Sequence, residues 1–246
     1  MICKNCGNDF DGKFCNNCGQ KADIHRFTFK HALHDFIHVF THVDKGLLFL
    51  MKELTFRPGI TAREYIEGKR KKYFSPMQYL VIAVAVSTFI TIKFGIIGFR
   101  ELPPDIYVTL SQQQKFFLQF NNFVYTYFNL TLFAGVPVMA FFSWLIYLKS
   151  GYNYSENLIF NTFIAAQRTL LYIVLSPFLY VFRERWYIGI GTYYILFFIY
   201  LAWAFIQFFK GNKFLSFLKF LLVFVLSFSA IQAISMLIFY WFFYKP

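Results

Sequence analysis

The chain has 246 residues, of which 58% are hydrophobic, 24% aromatic and only 15% charged, whereas soluble domains carry about 25% charged residues. One soluble core of this size could not bury 37 Phe and 17 Tyr, because a compact domain leaves much of its surface in water. The composition excludes an ordinary soluble domain. It predicts an all-α integral membrane bundle of about five transmembrane helices with a small N-terminal zinc ribbon.

The first predicted domain, 1–24, contains a repeated cysteine motif. Cys-Lys-Asn-Cys-Gly is followed, after eight intervening residues that include that glycine, by Cys-Asn-Asn-Cys-Gly. Each tight turn can present two thiolates to one ion, and the glycine after it tolerates the backbone conformation that the turn requires. Four thiolates in a tetrahedral array favour Zn(II) and leave no open position for catalysis. Redox cysteines and a rubredoxin-like iron site are the alternatives. The predicted ligands of this structural zinc are Cys3, Cys6, Cys15 and Cys18.

A basic, amphipathic arm is predicted over 25–74, on the cytoplasmic side. Its first part has helical periodicity and places four histidines on one stripe, at spacings of three, four and four residues. Such a stripe could bind a second metal ion or change its charge near neutral pH. We favour a simpler interpretation, in which the histidines form the polar face of a helix that lies on the bilayer or on the other spans. They are His31, His34, His38 and His42.

The second part of the arm is predicted to pack on the membrane face. It contains the stretch from Leu47 to Phe56 and then a short helix that Pro58 opens and Gly68 closes, because proline suits the first turn of a helix. Four basic residues follow and would attract anionic headgroups, each by about 1 kcal/mol. Because the positive charge is concentrated beside lipid, a nucleic-acid partner is not supported. The four basic residues are Lys69, Arg70, Lys71 and Lys72.

Five hydrophobic stretches in the third predicted domain, 75–246, are long enough for the ~20 residues that a bilayer crossing requires. Seventeen Lys and Arg lie on the side of the arm and five on the other side. The excess of positive charge places the ribbon in the cytoplasm and the C-terminus outside, in a bacterial inner membrane. A re-entrant segment would change the count of spans. The predicted spans are 77–97, 124–148, 158–182, 187–209 and 214–244.

A polar pair, Gln167 and Arg168, interrupts the third span near its middle. A charged residue at this depth costs at least ~2.5 kcal/mol and usually faces the interior of a bundle. All twelve acidic residues lie in the arm, in loops or at a span edge, so the counter-ion of Arg168 could be an anionic substrate or lipid. In the alternative, structural interpretation Arg168 bonds freed backbone carbonyls or amide side chains. Those amides would be Asn129, Asn161, Gln207 or Gln232.

Several motifs between Cys3 and Tyr79 occur together. The second cysteine motif reads Phe14-Cys15-Asn-Asn-Cys18-Gly19-Gln20, and the arm contains Asp44-Lys45-Gly46, Arg57-Pro58-Gly59, Arg63-Glu64-Tyr65-Ile66-Glu67-Gly68-Lys69-Arg70 and Tyr73-x-x-Pro76. This combination resembles an uncharacterised bacterial family, number 3667 in the series of domains of unknown function. The resemblance implies a zinc ribbon fused to membrane helices and provides no activity to transfer.

The sequence contains no GxSxG or HExxH motif, and signals of catalysis are few. It favours a non-enzymatic membrane protein whose ribbon and arm bind a cytoplasmic protein partner or anionic lipid. One alternative is a transporter or channel for a small anionic or lipidic solute that uses Arg168. The other is a metal-dependent membrane enzyme that uses the histidine stripe. The oligomeric state is left open.

Overall fold

The computed structural model describes residues 1–24, 26, 46–96, 109–182 and 185–244. Within these ranges the chain forms eight α-helices and a 3-10 turn over Leu148–Ser150. The helices are α1 Leu47–Phe56, α2 Pro58–Ile66, α3 Pro76–Phe94, α4 Gln112–Thr126, α5 Phe128–Ile146, α6 Tyr154–Val181, α7 Trp186–Phe208 and α8 Lys213–Phe242.

Five helices in the described part of the chain are long and apolar enough to cross a membrane, as the sequence predicted. They are α3, α5, α6, α7 and α8. The most apolar window of α6 is 56% buried by its neighbours, whereas that of α8 is only 17% buried. Helix α6 therefore forms the centre of the bundle, and α8 leaves most of its apolar surface for lipid.

The second and third spans begin at residues that differ from the predicted ones. The backbone of Tyr127 (φ −101°, ψ 22°) interrupts the helix, so α5 starts at Phe128. Before this break lies α4, which we did not predict and which begins with a capping box formed by Ser111 and Gln114. Asn153 caps α6 in the same way. Capping residues can be recognised in a sequence. The spans were predicted from hydrophobic runs alone, which do not include the caps, so their starts were misplaced by four residues.

Pro58 opens α2 as predicted, and the helix ends at Ile66, two residues before Gly68, whereas α1 was not predicted as a helix. The location of this segment also differs from the predicted one. Helices α1 and α2, with Arg57 between them, form a helical hairpin that packs into the bundle instead of lying on its surface. Leu50 and Leu54 are completely buried. A Cβ atom added at Gly59 would lie 2.4 Å from the backbone nitrogen of Phe208 in α7, so the two backbones approach as closely as only glycine permits.

The depth of the hairpin follows from its polar contacts. The Thr55 hydroxyl accepts a hydrogen bond of 2.8 Å from Gln167, which lies at the middle of α6, about 20 Å along the axis from its first residue. The Tyr200 hydroxyl of α7 donates to the Leu54 carbonyl at 3.0 Å. Gln167 also accepts a hydrogen bond from Tyr79 in the first turn of α3, so the end of α1 lies at the level of that turn and contacts both α6 and α7.

Aromatic rings fill the core at the end of the bundle where the hairpin lies, called here the ribbon end. Phe160 of α6 stacks on Phe208 of α7 with ring centres 4.1 Å apart. Tyr147 stacks on Phe209 at 3.6 Å. The Tyr147 hydroxyl donates to the Ser216 carbonyl of α8 at 2.6 Å, so the polar tip of this buried ring is also satisfied. These contacts join α5 to α8 around the hairpin.

Candidate metal centre and polar sites

The four cysteines of the ribbon lie close enough to share one ion. Their sulfur atoms are all within 4.8 Å of one another, and the Cys3–Cys18 and Cys6–Cys15 sulfur pairs are 3.6 and 3.7 Å apart. A disulfide would bring two sulfurs to about 2.05 Å, whereas a tetrahedral site with metal–sulfur bonds of about 2.3 Å places them about 3.8 Å apart. These four residues could therefore hold a metal ion, as predicted.

The two cysteine motifs fold into the same turn twice. The Gly7 N–H donates to the Cys3 carbonyl at 2.9 Å, and the Gly19 N–H donates to the Cys15 carbonyl at 2.8 Å. Both glycines have positive φ, 75° and 70°, a conformation that other residues rarely adopt. The glycine after each CxxC pair is thus required by the backbone, which is why the repeated motif predicted the repeated turn.

The thiols sit in an environment that suits a bound cation. The backbone N–H of Cys6 lowers the pKa of Cys3 to about 6, so this sulfur is available as the thiolate that binds metals. The Asn8 N–H favours the Cys6 thiolate, but burial and the neighbouring cysteines outweigh it and raise the pKa of Cys6 to about 11. A cation among the four sulfurs would offset this mutual repulsion.

The ribbon is hydrogen-bonded to residues 68–72, called here the ribbon contact loop. Gln20 is 5% exposed. Its amide donates to the Gly68 carbonyl and accepts from the Lys71 N–H at 3.0 Å. The Asn5 side chain accepts from the Lys72 N–H at 3.1 Å. Neither amide was predicted to have a role. The only feature of the sequence that could have indicated these contacts is the position of both residues inside or next to a cysteine turn.

Glu64 of α2 forms ion pairs with basic residues of the same loop. Its carboxylate accepts a hydrogen bond from the Tyr73 hydroxyl at 2.6 Å and pairs with Lys72 at 3.2 Å, Lys69 at 3.4 Å and Arg57 at 3.4 Å. Burial opposes ionisation, but these partners outweigh it and lower the pKa of Glu64 to about 2. Two of the four residues predicted to meet lipid headgroups thus contact a carboxylate of the protein, while Lys71 is exposed.

A second connection joins the chain after the ribbon to the first turn of α6 and to the loop before it. Arg26 forms two hydrogen bonds of 2.7 and 2.8 Å with Glu156, which is 4% exposed, and also donates to the Gly151 carbonyl. A cleft of about 350 Å³ opens beside this pair, with Glu67 and Lys210 in its lining. Because Arg26 and Glu156 satisfy each other, the pair acts as a structural link at the ribbon end.

The polar pair predicted in the third span divides into two different roles. Gln167 is 6% exposed, and its amide is satisfied by the protein itself. It accepts a hydrogen bond of 2.6 Å from the Tyr79 hydroxyl and donates one of 2.8 Å to Thr55. Gln167 therefore joins α3, α6 and the hairpin, and the contacts that it makes leave little capacity for a ligand.

Arg168 has different partners. Its Nε donates to the Tyr193 hydroxyl at 3.1 Å, and its guanidinium lies over the rings of Phe128 and Phe197, 5.4 and 5.0 Å from their centres. Three of the amides considered as partners bond elsewhere: Asn129 donates to Thr88, Asn161 donates to Ser143, and Gln207 accepts from the Gly59 N–H. Arg168 is thus held by aromatic side chains.

The histidines of the predicted stripe, His31, His34, His38 and His42, lie outside the described residues. A second metal site or a pH-sensing role for them stays a prediction.

Comparison with known proteins gives one family match. Residues 44–88 match the model of the family described as Protein of unknown function (DUF3667). The comparisons with curated proteins and with solved structures gave no match. The matched segment contains the hairpin, the ribbon contact loop and the first two-thirds of α3. Over this segment the chain is similar to a domain of unknown function, and it combines that similarity with five potential membrane spans and four cysteines that could hold a metal ion.

Proposed function

We propose that this chain is a non-enzymatic membrane protein of the bacterial inner membrane, whose cytoplasmic zinc ribbon and arm bind a protein partner or anionic lipid. The observation that carries this proposal is a closed four-thiolate site on a module that is fixed to the membrane domain. Such a site leaves no coordination position for a substrate, and binding is the remaining use of a ribbon at this location.

Zinc is the metal that the site fits best. Four soft thiolates with tetrahedral spacing suit Zn(II), and the ribbon has almost no core of its own, so metal binding would supply its folding energy. Metal analysis of the purified protein should find one zinc per chain, lost after Cys15→Ser and kept after joint replacement of the four histidines by alanine. A second metal that disappears with the histidines would favour the enzyme alternative.

The distribution of charge supports a cytoplasmic ribbon. The excess of Lys and Arg, 17 against 5, lies on the side of the arm, the side that remains inside during insertion. Lys71, exposed in the ribbon contact loop, would then face the anionic headgroups of the inner leaflet.

The exposed surface of the ribbon supports a partner. Its amides Asn5 and Gln20 contact the membrane domain, but Ile2 and Phe14 remain 75% and 57% exposed. Each precedes the first cysteine of its motif, so the metal-bound turns fix the positions of both side chains. Large apolar groups on a small polar module are suited to burial against another surface.

In-cell photo-crosslinking tests this proposal. A photoreactive amino acid at position 2 or 14 should form an adduct with a protein or a lipid, which mass spectrometry distinguishes. The same probe at position 149, exposed at the ribbon end but outside the ribbon, is the matched control. The adduct should disappear in the Cys15→Ser variant. Identical adducts at position 149, or adducts that persist without the cysteine, would contradict a role for the folded ribbon.

A further inference from the structure

Arg168 is positioned inside the bundle by side chains from two neighbouring helices. Phe128 at the start of α5 and Phe197 in α7 lie against its guanidinium, and Tyr193 of α7 accepts the hydrogen bond from Nε. These three contacts fix the place of the guanidinium. The charge is therefore positioned before any ligand arrives, which reduces the entropic cost of binding.

Most hydrogen-bonding capacity of this guanidinium is unused. An arginine carries five N–H donors in a fixed fork, and only Nε is bonded in the part of the chain that the structure describes. Among the described residues no carboxylate forms an ion pair with Arg168; the acidic side chains that do pair, such as Glu64 and Glu156, belong to the ribbon end. A charge inside a membrane bundle without a carboxylate partner is costly and commonly marks a functional site.

Tyr193 adds a second donor at the same place. Its oxygen accepts the hydrogen bond from Arg168, so its own O–H proton remains available to a neighbouring acceptor. The two terminal nitrogens of Arg168 and the Tyr193 hydroxyl together form a set of donors without a negative charge. A planar guanidinium fork matches the spacing of two oxygens on a phosphate or carboxylate, and the aromatic rings around it suit an apolar remainder.

We propose that Arg168 and the Tyr193 hydroxyl bind a phosphate-type oxyanion inside the helix bundle. The oxyanion belongs either to a lipid headgroup or to a small phosphorylated solute, since both present the same oxygens to the fork. Gln167 is not part of this site, because Tyr79 and Thr55 already satisfy its amide. The proposal does not depend on what the ribbon binds.

Binding to the purified full-length protein tests the site. The protein is purified in dodecyl maltoside, which contains no phosphate, with or without added phosphatidylglycerol, and native mass spectrometry counts the lipids that it retains. In a second arm, inorganic phosphate is titrated into the lipid-free sample and the unfolding temperature is measured. Retention of phosphatidylglycerol identifies a lipid headgroup as the ligand. A rise of the unfolding temperature with phosphate identifies a solute, and either result supports the proposal.

Substitutions then assign the binding to the proposed residues. Arg168→Gln should weaken it about tenfold or more, the expected loss of one charge-assisted fork, and Arg168→Lys should have an intermediate effect because charge remains but the fork does not. Lys219→Gln is the matched control, since Lys219 is also a membrane-helix cation over an aromatic ring, that of Tyr147.

The proposal is overturned if the wild-type protein retains neither ligand, if Arg168→Gln binds as well as the wild type, or if Lys219→Gln loses as much. Should Arg168→Gln fail to fold, Tyr193→Phe decides, because it keeps the arginine and the ring and removes only the hydroxyl. That variant should bind several-fold more weakly, and unchanged binding would overturn the proposal.

Discussion

Glu64 connects the hairpin to the ribbon contact loop through a single carboxylate. Lys69, Lys72 and Tyr73 reach it from the loop side, and Arg57 reaches it from the junction of the two hairpin helices. Because the side chain is only 17% exposed, loss of its charge would leave several donors partly buried without an acceptor. The stability of this region should therefore depend on the ionisation of Glu64.

Stability should fall in acid because of Glu64. The pKa of this carboxyl is about 2 in the folded protein against an ordinary value of 4.5. Because the pKa is lowered in the folded state, ionised Glu64 contributes its full stabilisation of the fold above pH 4.5. This contribution is lost as the pH falls from 4.5 towards 2. Glu64→Gln should cost about 1–3 kcal/mol at pH 7, and the difference between variant and wild type should shrink below pH 4. Thermal unfolding in detergent between pH 3 and 7 measures it.

Glu67→Gln is the matched control for this prediction, because Glu67 lies just after the same helix but is exposed. It should leave the unfolding temperature nearly unchanged. Equal stability of Glu64→Gln and wild type at pH 7 would show that the carboxylate contacts contribute little.

The helical hairpin depends on one close approach between elements. Helix α2 reaches α7 at Gly59, where the Ala204 carbonyl and the Phe208 nitrogen would both lie within 2.6 Å of an added Cβ. Both are backbone atoms of a helix, so they cannot move aside as a flexible side chain would. The hairpin is thus positioned by backbone packing as well as by the hydrogen bonds of Leu54 and Thr55.

Gly59→Ala should move the hairpin away from α7. We expect a loss of about 1–3 kcal/mol, the usual cost of overpacking, although alanine favours a helix more than glycine does. The measurement is the thermal unfolding midpoint of the purified protein. Gly191→Ala is the control, because an added Cβ there meets nothing within 4 Å. If both variants are equally stable, the close approach does not limit the packing.

The ribbon is the second element whose position depends on few contacts. Asn5 and Gln20 hold backbone groups of the ribbon contact loop, and both amides are placed by turns that the metal ligands define. Loss of the metal should therefore release the loop as well as unfold the ribbon.

Metal removal should make the ribbon contact loop sensitive to trypsin. Treatment with a strong chelator should accelerate cleavage after residues 69–72 several-fold, measured by peptide mass spectrometry. A variant carrying Asn5→Ala and Gln20→Leu keeps all four cysteines, so it should retain its metal and still be cleaved faster. Cleavage after Lys149, which is exposed, should not change. If the loop resists trypsin after metal loss, the ribbon does not protect it.

At the scale of the whole molecule, the bundle is asymmetric between its two ends. The ribbon end carries the hairpin, the contact loop and the Arg26–Glu156 pair, all of which tie the N-terminal part of the chain to the spans. At the opposite end α4 packs on the last turns of α8 through aromatic rings, including the 5.5 Å pair of Phe123 and Phe239. If all five helices cross a membrane, the number of crossings is odd, and the two ends of the chain lie on opposite sides of it.

Fusion reporters test this topology. Alkaline phosphatase fused after Tyr244 should be active outside the cell membrane, and phosphatase fused after Gly151, at the ribbon end, should be inactive. Green fluorescent protein should give the reverse pattern. Equal activity of both phosphatase fusions would mean an even number of crossings between the two positions, and one of the three helices α6, α7 and α8 would then not span the bilayer.

The amino-acid sequence by itself determined the features that depend on neighbouring residues. The five apolar helices follow from run length, and the metal site follows from two CxxCG turns, because bilayer thickness and turn geometry act on short segments. The second hairpin helix was also predictable from Pro58 and Gly68. The burial of the hairpin was not, because the same apolar residues could face lipid or protein.

Only the tertiary structure decided which polar groups meet. Gln167 bonds Thr55, 112 residues away, and Gln20 bonds Gly68, 48 residues away. The periodicity of a short segment cannot predict such pairs, since each pair forms only when distant helices and loops pack together in one arrangement. The same packing separated Gln167 from Arg168, adjacent in the chain. The first is satisfied by the protein, whereas the second is held between aromatic rings with unused donors, because successive residues of a helix point about 100° apart.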